Sequence, residues 1–433
     1  MTTRRTFIKQ SAASGVAACG VTGAGLTRAA LGGETPHPVG KAEQVIFVWL
    51  GGGAAQIDTF DPKRRGDPKT GKPGSDYAAI DTAIEGTQVC EHLPRCAKIL
   101  DRFNIVRTVH HEGFPDHAAA TNFVHTGRPT SGTILYPSIG SLVSHTRGPI
   151  NENLPAYVLI GMPSVARGPG FLGPTAGYIY MTDTEKGPSS FTREAGLSTA
   201  RQMRREQLLS QMRSQYLGQQ ERAQAIQDYD QAIDESLRLS GPEFQRVFQL
   251  DEEPDSLRTT YGGEFGQRCL LSRRLLQSGV RFVEVSHNIN FVNGTGWDTH
   301  REGQLKQHLM IEELDIAMSA LVSDLEQNKM LDKTLIVIGT EFGRPPGFDG
   351  KGGRGHQATA FSMVFAGGGL RNGITIGETD EFAKTIVDRP VSVADFHATI
   401  ACAVGIDPAT ELYAGERPVP LTDHGQPIRE LFA

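Results

Sequence analysis

Short apolar runs rich in β-formers recur along this chain, and each runs straight into glycines or into polar residues able to do chemistry. The first is 45–50, closed by Gly51 to Gly53 and followed by Asp58. A run this apolar, with no polar alternation, predicts a strand buried on both faces. The run 103–109 leads into His110, His111, Asp116 and His117, and 156–160 is another strand candidate. The run 280–285 precedes Trp297-Asp298-Thr299-His300, and 334–339 precedes Glu341-Phe342-Gly343-Arg344. The run 362–366 follows a glycine-rich loop that carries His356. Helical stretches fall at 91–102, 118–125, 138–144, 265–278, 305–328 and 392–404, with Arg273 and Arg274 expected on the exposed side of 265–278. Alternating strands and helices predict one α/β domain, a mostly parallel sheet covered on both faces.

The ends and the middle read differently. Residues 1 to about 35 resemble a twin-arginine export signal: Arg4-Arg5, then Phe7-Ile8 and Lys9, then a weakly apolar stretch rich in Ala, Gly and Ser. That implies handling by the twin-arginine translocase and a periplasmic or cell-surface destination. A second reading of the same segment is a lipobox at Val16-Ala17-Ala18-Cys19, which makes Cys19 a lipid anchor. Export leaves Cys90, Cys96, Cys269 and Cys402 in an oxidising compartment, where Cys90 and Cys96 either bridge or stay as buried thiols. The remainder, 36–433, is expected to be a single domain, interrupted at about 197–250 by a Gln-, Arg-, Glu- and Leu-rich helical insertion. The net charge of −6 offers no basic surface for nucleic acid, and the mature chain has no apolar run of the ~20 residues that span a membrane.

Ligands of open α/β sheets bind beyond the carboxyl ends of the strands. Asp58, the His110/His111/Asp116/His117 group, Asp298 with His300, and Glu341 all follow such ends, and His356 lies in a loop between two strands. Carboxylates and imidazoles gathered in one cleft call for a cation, and one or two divalent ions answer that need. Oxygen and nitrogen ligands without thiolate suit Zn, Mn, Mg or Ca. Each residue alone also has a plain structural reading: Asp58 and Asp298 as caps, Glu341 with Arg344 as an ion pair, His356 as a surface loop residue.

The motifs FVWLGGGAAQIDTFDP, HTGRP, YPSIGSLVS, GPGFLGP, RFVEV…GWDTH, GTEFGRPP, AGGGL and GERPVPL occur in this order. Together they resemble the bacterial DUF1501 family across nearly the whole mature chain. That family resembles the alkaline phosphatase superfamily, with its sulfatases and metal-dependent phosphomutases. The resemblance implies a three-layer α/β/α sandwich and a two-metal site. Asp58 resembles the superfamily's first-strand aspartate ligand, Asp298 and His300 its aspartate–histidine pair, and His356 its late histidine. Glu341 falls where an Asp-His dipeptide is usual, with Phe342 in the place of the imidazole. His117 stands where the nucleophilic Ser or Thr would be, and the sulfatase formylglycine sequence is missing.

The resulting expectation is an exported metal-dependent hydrolase of phosphate or sulfate esters that uses metal-bound water. Asp58, His117, Asp298, His300, Glu341 and His356 are the expected ligands: Asp298, His300 and His356 at one ion, Asp58 with Glu341 at a second or shared one, and His117 completing the second. His117 is read as ligand, as phosphohistidine nucleophile or as structural residue, with Thr121 one turn on as the fallback nucleophile. Arg344 or Arg128 is expected to neutralise the anionic ester. The alternatives are a non-catalytic metal- or ligand-binding envelope protein that kept the fold, and a structural envelope component.

Overall fold

In the computed structural model, residues 37–432 are described apart from 113–115, 189–197, most of 218–241, 290–294 and 350–351. The expected export signal, with Arg4, Arg5 and Cys19, and the middle of the helical insertion lie outside the described residues. Among these residues nine strands make the central sheet. They are β1 Gln44–Trp49, β2 Phe103–His110, β3 Tyr157–Ile160, β4 Ile179–Met181, β5 Phe282–Ser286, β6 Thr334–Gly339, β7 Phe361–Gly367, and two short edge strands, β8 Thr375–Ile376 and β9 Val391–Ser392. The order is β8-β2-β7-β6-β1-β5-β3-β4, with β9 also on β2. Every pairing is parallel except the two that β7 makes, with β2 and with β6.

Among the described residues the helices of nine residues or more are α1 His117–Thr126, α2 Ile139–Arg147, α3 Thr199–Leu217, α4 Glu264–Ser278, α5 Gln307–Gln327 and α6 Val393–Ala403. Strand alternation divides the core in two. Ile46 and Val48 of β1 join Leu271 of α4 and Leu314 of α5, while Val45, Phe47 and Trp49 join Leu142 of α2 and Phe396 of α6. Both faces of β1 are therefore dry, which is why its sequence lacks polar alternation. Each buried side chain of this size contributes roughly 1.5–3 kcal/mol. The α/β/α layering expected from the sequence is what the chain adopts. Among the described residues, no helix is long and apolar enough to cross a membrane.

Several local expectations need correction. Residues 91–102 are not one helix; Pro94 opens a short helix to Lys98, and a 3₁₀ turn runs from Leu100 to Arg102. β5 begins at Phe282 rather than at 280, because Val280 N–H bonds the Leu275 carbonyl at 3.0 Å and closes α4 over the left-handed Gly279. Arg273 is not exposed. It is 4% accessible, with Nε 2.9 Å from Asp324 Oδ2 and Nη2 2.8 Å from Glu253 Oε2. Cys90, Cys96, Cys269 and Cys402 are free and buried, so Cys90 and Cys96 form no bridge. Two- and three-residue strands such as β4, β8 and β9 carry too little periodicity to be seen in the sequence.

Candidate metal centre and cleft

Among the described strands only β7 runs against the sheet, so the carboxyl ends of β1, β2, β3, β5 and β6 share one edge with the start of β7. The residues that follow those ends meet there. α1 begins the constellation. Asp116 caps it, its Oδ1 accepting from Ala119 N–H at 2.9 Å, and Gly127 ends it in the left-handed conformation at φ 69°. His117 is thereby the first helical residue, projecting toward β6 and the loops past β5.

His117 Nδ1 lies 2.7 Å from Glu341 Oε1, and its Nε2 lies 3.2 Å from Asp298 Oδ1. Asp298 Oδ1 is also 3.1 Å from His300 Nε2 and 3.6 Å from His356 Nε2, and those two nitrogens are 3.0 Å apart. Tetrahedral ligands held at zinc-like bond lengths sit about 3.3 Å from one another. The potential ligand atoms of His117, Asp298 and His356 all lie within 4.8 Å of one another, and His300 borders them. The donor set, three imidazoles and a carboxylate, suits a divalent ion. Burial lowers the basicity of His117, but its bonds to Asp298 and Glu341 outweigh that and bring its pKa to about 9. Burial pushes His300 down, only partly countered by Asp298.

Glu341 faces inward from the end of β6. Its Oε1 accepts from Gly52 N–H at 2.8 Å and its Oε2 from the Thr340 hydroxyl at 3.4 Å. A carboxylate facing Nδ1 keeps the proton there and turns Nε2 toward Asp298 and His356. Phe342 is fully buried and stacks on the His356 ring at 4.4 Å. Gly53, at φ +86°, must be glycine twice over, since a Cβ there would come within 2.8 Å of the Phe342 ring.

Asp58 is not brought to this cluster. Its Oδ2 accepts from Arg354 Nε at 2.8 Å and its Oδ1 from Arg354 Nη2 at 2.9 Å, and both side chains are fully buried. Asp76 N–H adds a bond to Oδ1 at 2.8 Å and Gln304 Nε2 one to Oδ2 at 3.1 Å. Arg344 is not available to substrate either. Its five N–H groups go to Asp298 Oδ1 at 2.6 Å and to the carbonyls of Gly52, Gly53, Arg354 and Gly355. Arg128 is tied to Asp423 at 2.7 Å and to the carbonyls of Pro420 and Thr422. His111 braces the Glu341 carbonyl at 2.9 Å, and His110 contacts the Thr108 carbonyl at 3.4 Å, so neither joins the ligand cluster. Sequence reasoning missed Arg354. The only hint was an arginine between glycines two residues before His356.

A cleft of about 1000 Å³ opens beside His117 and Glu341. Thr121 and Asn122 of α1, Met162 to Arg167 after β3, and Ser286 and Asn288 at the end of β5 line it. Its arginine, Arg167, holds Glu284 through Nε and the Met162 carbonyl through Nη1 at 3.2 Å. Glu284 is buried, which raises its pKa, but Arg167 and His125 outweigh burial and bring it to about 2.

Residues 42–432 match the family described as "Protein of unknown function (DUF1501)". No curated protein matches the chain. Solved structures similar to it include the PsFucS1 sulfatase from Pseudoalteromonas sp., 13% identical over 84% of this chain and 68% of that one, TM-score 0.35. Another is a phosphonate monoester hydrolase from Silicibacter pomeroyi, 12% identical over 90% and 77%, TM-score 0.38. A third is a protein in the alkaline phosphatase superfamily from Vibrio parahaemolyticus, 10% identical over 86% and 69%, TM-score 0.38.

Proposed function

The chain belongs to the DUF1501 family, and from the site it carries we propose that it is an exported, metal-dependent hydrolase of phosphate or sulfate esters. The observation that carries this reading is the cluster of His117, Asp298, His300 and His356 at the edge of a cleft of about 1000 Å³. That volume is at the upper end of small-molecule sites. Its lining, with Met162, Val165, Asn122 and Asn288, suits an ester whose organic group is large and uncharged.

Asp298 and the three imidazoles would hold a divalent ion. When bound, such an ion supplies Lewis acidity toward a phosphoryl or sulfuryl oxygen. The chain itself does the rest. The N-terminus of α1 opens on the cleft and presents its positive dipole end to the ester's anionic group. Arg344 pins the Asp298 carboxylate, and Glu341 pins the His117 ring. With Nδ1 on Glu341 and Nε2 among the ligand atoms, His117 has no lone pair left for attack, so attack falls to water or to the Thr121 hydroxyl in the cleft wall.

Purified protein should therefore turn over an aryl phosphate or an aryl sulfate, lose that activity to a chelator, and regain it with divalent metal. Acid and base quenching with labelled substrate separates the routes. An acid-stable adduct on Thr121 means covalent catalysis, no adduct means direct hydrolysis, and an acid-labile, base-stable adduct on His117 refutes ligation. A second reading, a ligand-binding protein without turnover, is favoured by one observation: Arg344 is saturated by its own chain. Tight metal with no turnover on either ester class selects it. For export, changing both Arg4 and Arg5 to Lys should leave precursor in the cytoplasm, and normal translocation of that variant overturns the twin-arginine route.

A further inference from the structure

We infer that the centre takes one ion per chain, that the guanidinium of Arg354 closes Asp58 to a second, and that Glu341 is a positioning residue for His117. This rests on the metal reading above and sharpens it.

The case for Arg354 is the closure of Asp58. A carboxylate offers about four lone-pair sites. Those of Asp58 receive Arg354 Nε, Arg354 Nη2, Asp76 N–H and Gln304 Nε2. The guanidinium is equally complete. Its other N–H groups bond the carbonyls of Pro345 at 3.0 Å, Pro346 at 2.7 Å and Gly74 at 2.8 Å, and its plane lies 4.0 Å over the Phe348 ring. An ion at Asp58 would have to evict a buried cation whose five donors are all engaged. Removing one partner of such a pair leaves the other's charge buried and uncompensated. Arg354 N–H also bonds the Thr299 carbonyl at 3.2 Å, so the arginine that seals Asp58 fixes the loop that presents His356 beside Asp298.

The case for Glu341 is its direction. Its Oε1 is spent on His117 Nδ1 and on Gly52 N–H, while the clustered ligand atoms belong to His117, Asp298 and His356, and it is His117 Nε2 that faces Asp298, at 3.2 Å. A carboxylate behind a ligating imidazole sets its tautomer and orientation, and losing it costs 10–100-fold in metal affinity.

The test is a titration of the chelator-treated full chain with Zn²⁺ and with Mn²⁺, counted by elemental analysis. One equivalent per chain is expected, and one equivalent again in Asp58→Asn. Two equivalents in the unaltered chain overturn this inference while leaving the metal reading intact. No bound metal overturns both. The count in the unaltered chain decides the matter even if Asp58→Asn fails to fold. For Glu341→Gln, metal affinity should fall 10–100-fold with one equivalent retained and with the visible spectrum of the Co²⁺-loaded protein keeping its tetrahedral intensity. His117→Ala should change that spectrum. A Glu341→Gln spectrum that changes as His117→Ala does would make Glu341 a ligand and overturn its positioning role.

Discussion

Asp58 and Asp298 are both buried aspartates beyond the carboxyl ends of parallel strands, and both are bound by an arginine, yet their surroundings differ. Around Asp58 every partner is a donor that cannot leave: a guanidinium, a backbone amide and a side-chain amide. Around Asp298 the partners beyond Arg344 include three imidazoles, which can donate to the carboxylate or turn a lone pair toward an ion. The first arrangement is closed and the second is convertible. An acidic residue in a ligand-like position is therefore only half of a site, and the chemistry of its neighbours decides whether it meets a metal or a side-chain cation.

The sharpest way to break this contrast is Asp58→Ala. It strands the Arg354 charge and should destabilise the fold by about 3–5 kcal/mol in denaturant titration, with the ion content of the folded fraction unchanged. Loss of metal in that folded fraction would erase the distinction between the two aspartates.

A third buried carboxylate shows whether closure is the general rule in this sheet. Glu284 is held by Arg167, His125 and the Tyr157 hydroxyl, with its pKa at about 2. A depressed carboxyl stabilises the fold above its unfolded value of 4.5 and loses that contribution as pH falls toward 2. Thermal or urea unfolding followed from pH 5 downward should thus show a loss on the order of 3 kcal/mol that Glu284→Gln lacks. Parallel pH profiles for the two proteins would contradict it.

His300→Ala should give the opposite signature to Asp58→Ala. Metal affinity should fall about 100-fold, equivalent to roughly 2.7 kcal/mol. The metal-free protein should keep its stability to within about 0.5 kcal/mol, because the ring is partly exposed. Full occupancy in this variant at micromolar metal would remove His300 from the set. The smallest effect belongs to Phe342→Leu, which keeps an apolar side chain of smaller volume but loses the stack on His356. It should cost about 1 kcal/mol in thermal unfolding; a loss several times larger would mean that the ring does more than support His356.

Much of the fold was legible because fully buried strands carry an unmistakable apolar signature, and β6 falls where its sequence run predicts. That topology brings His117, Asp298, His300 and His356 to one edge, but it brings Asp58 and Glu341 there as well and does not say which of them meet. The arginines were not legible. Arg273, Arg344 and Arg354 look in sequence like surface or substrate-binding residues, because a guanidinium's role is set by carboxylates and carbonyls brought in from distant segments. Asp58 reads as an open ligand for the same reason: sequence shows the acid, and only the fold shows that Arg354 already holds it. At Asp58 the charge is met by a side chain of the same protein, the guanidinium of Arg354.

The reversed strand β7 has one more consequence. Since β6 ends and β7 begins at the same edge, the intervening chain leaves the site and returns to it without crossing the sheet. Glu341, Phe342, Arg344, Arg354 and His356 thus travel together on one local excursion, bounded by two adjacent strands. In modular terms it is a cassette: a single contiguous replacement between Gly339 and Phe361 could exchange a whole wall of the centre at once, leaving the strand order and both cores untouched. A parallel partner for β6 would have spread the same residues over a crossover helix and tied any such exchange to the packing of the opposite face.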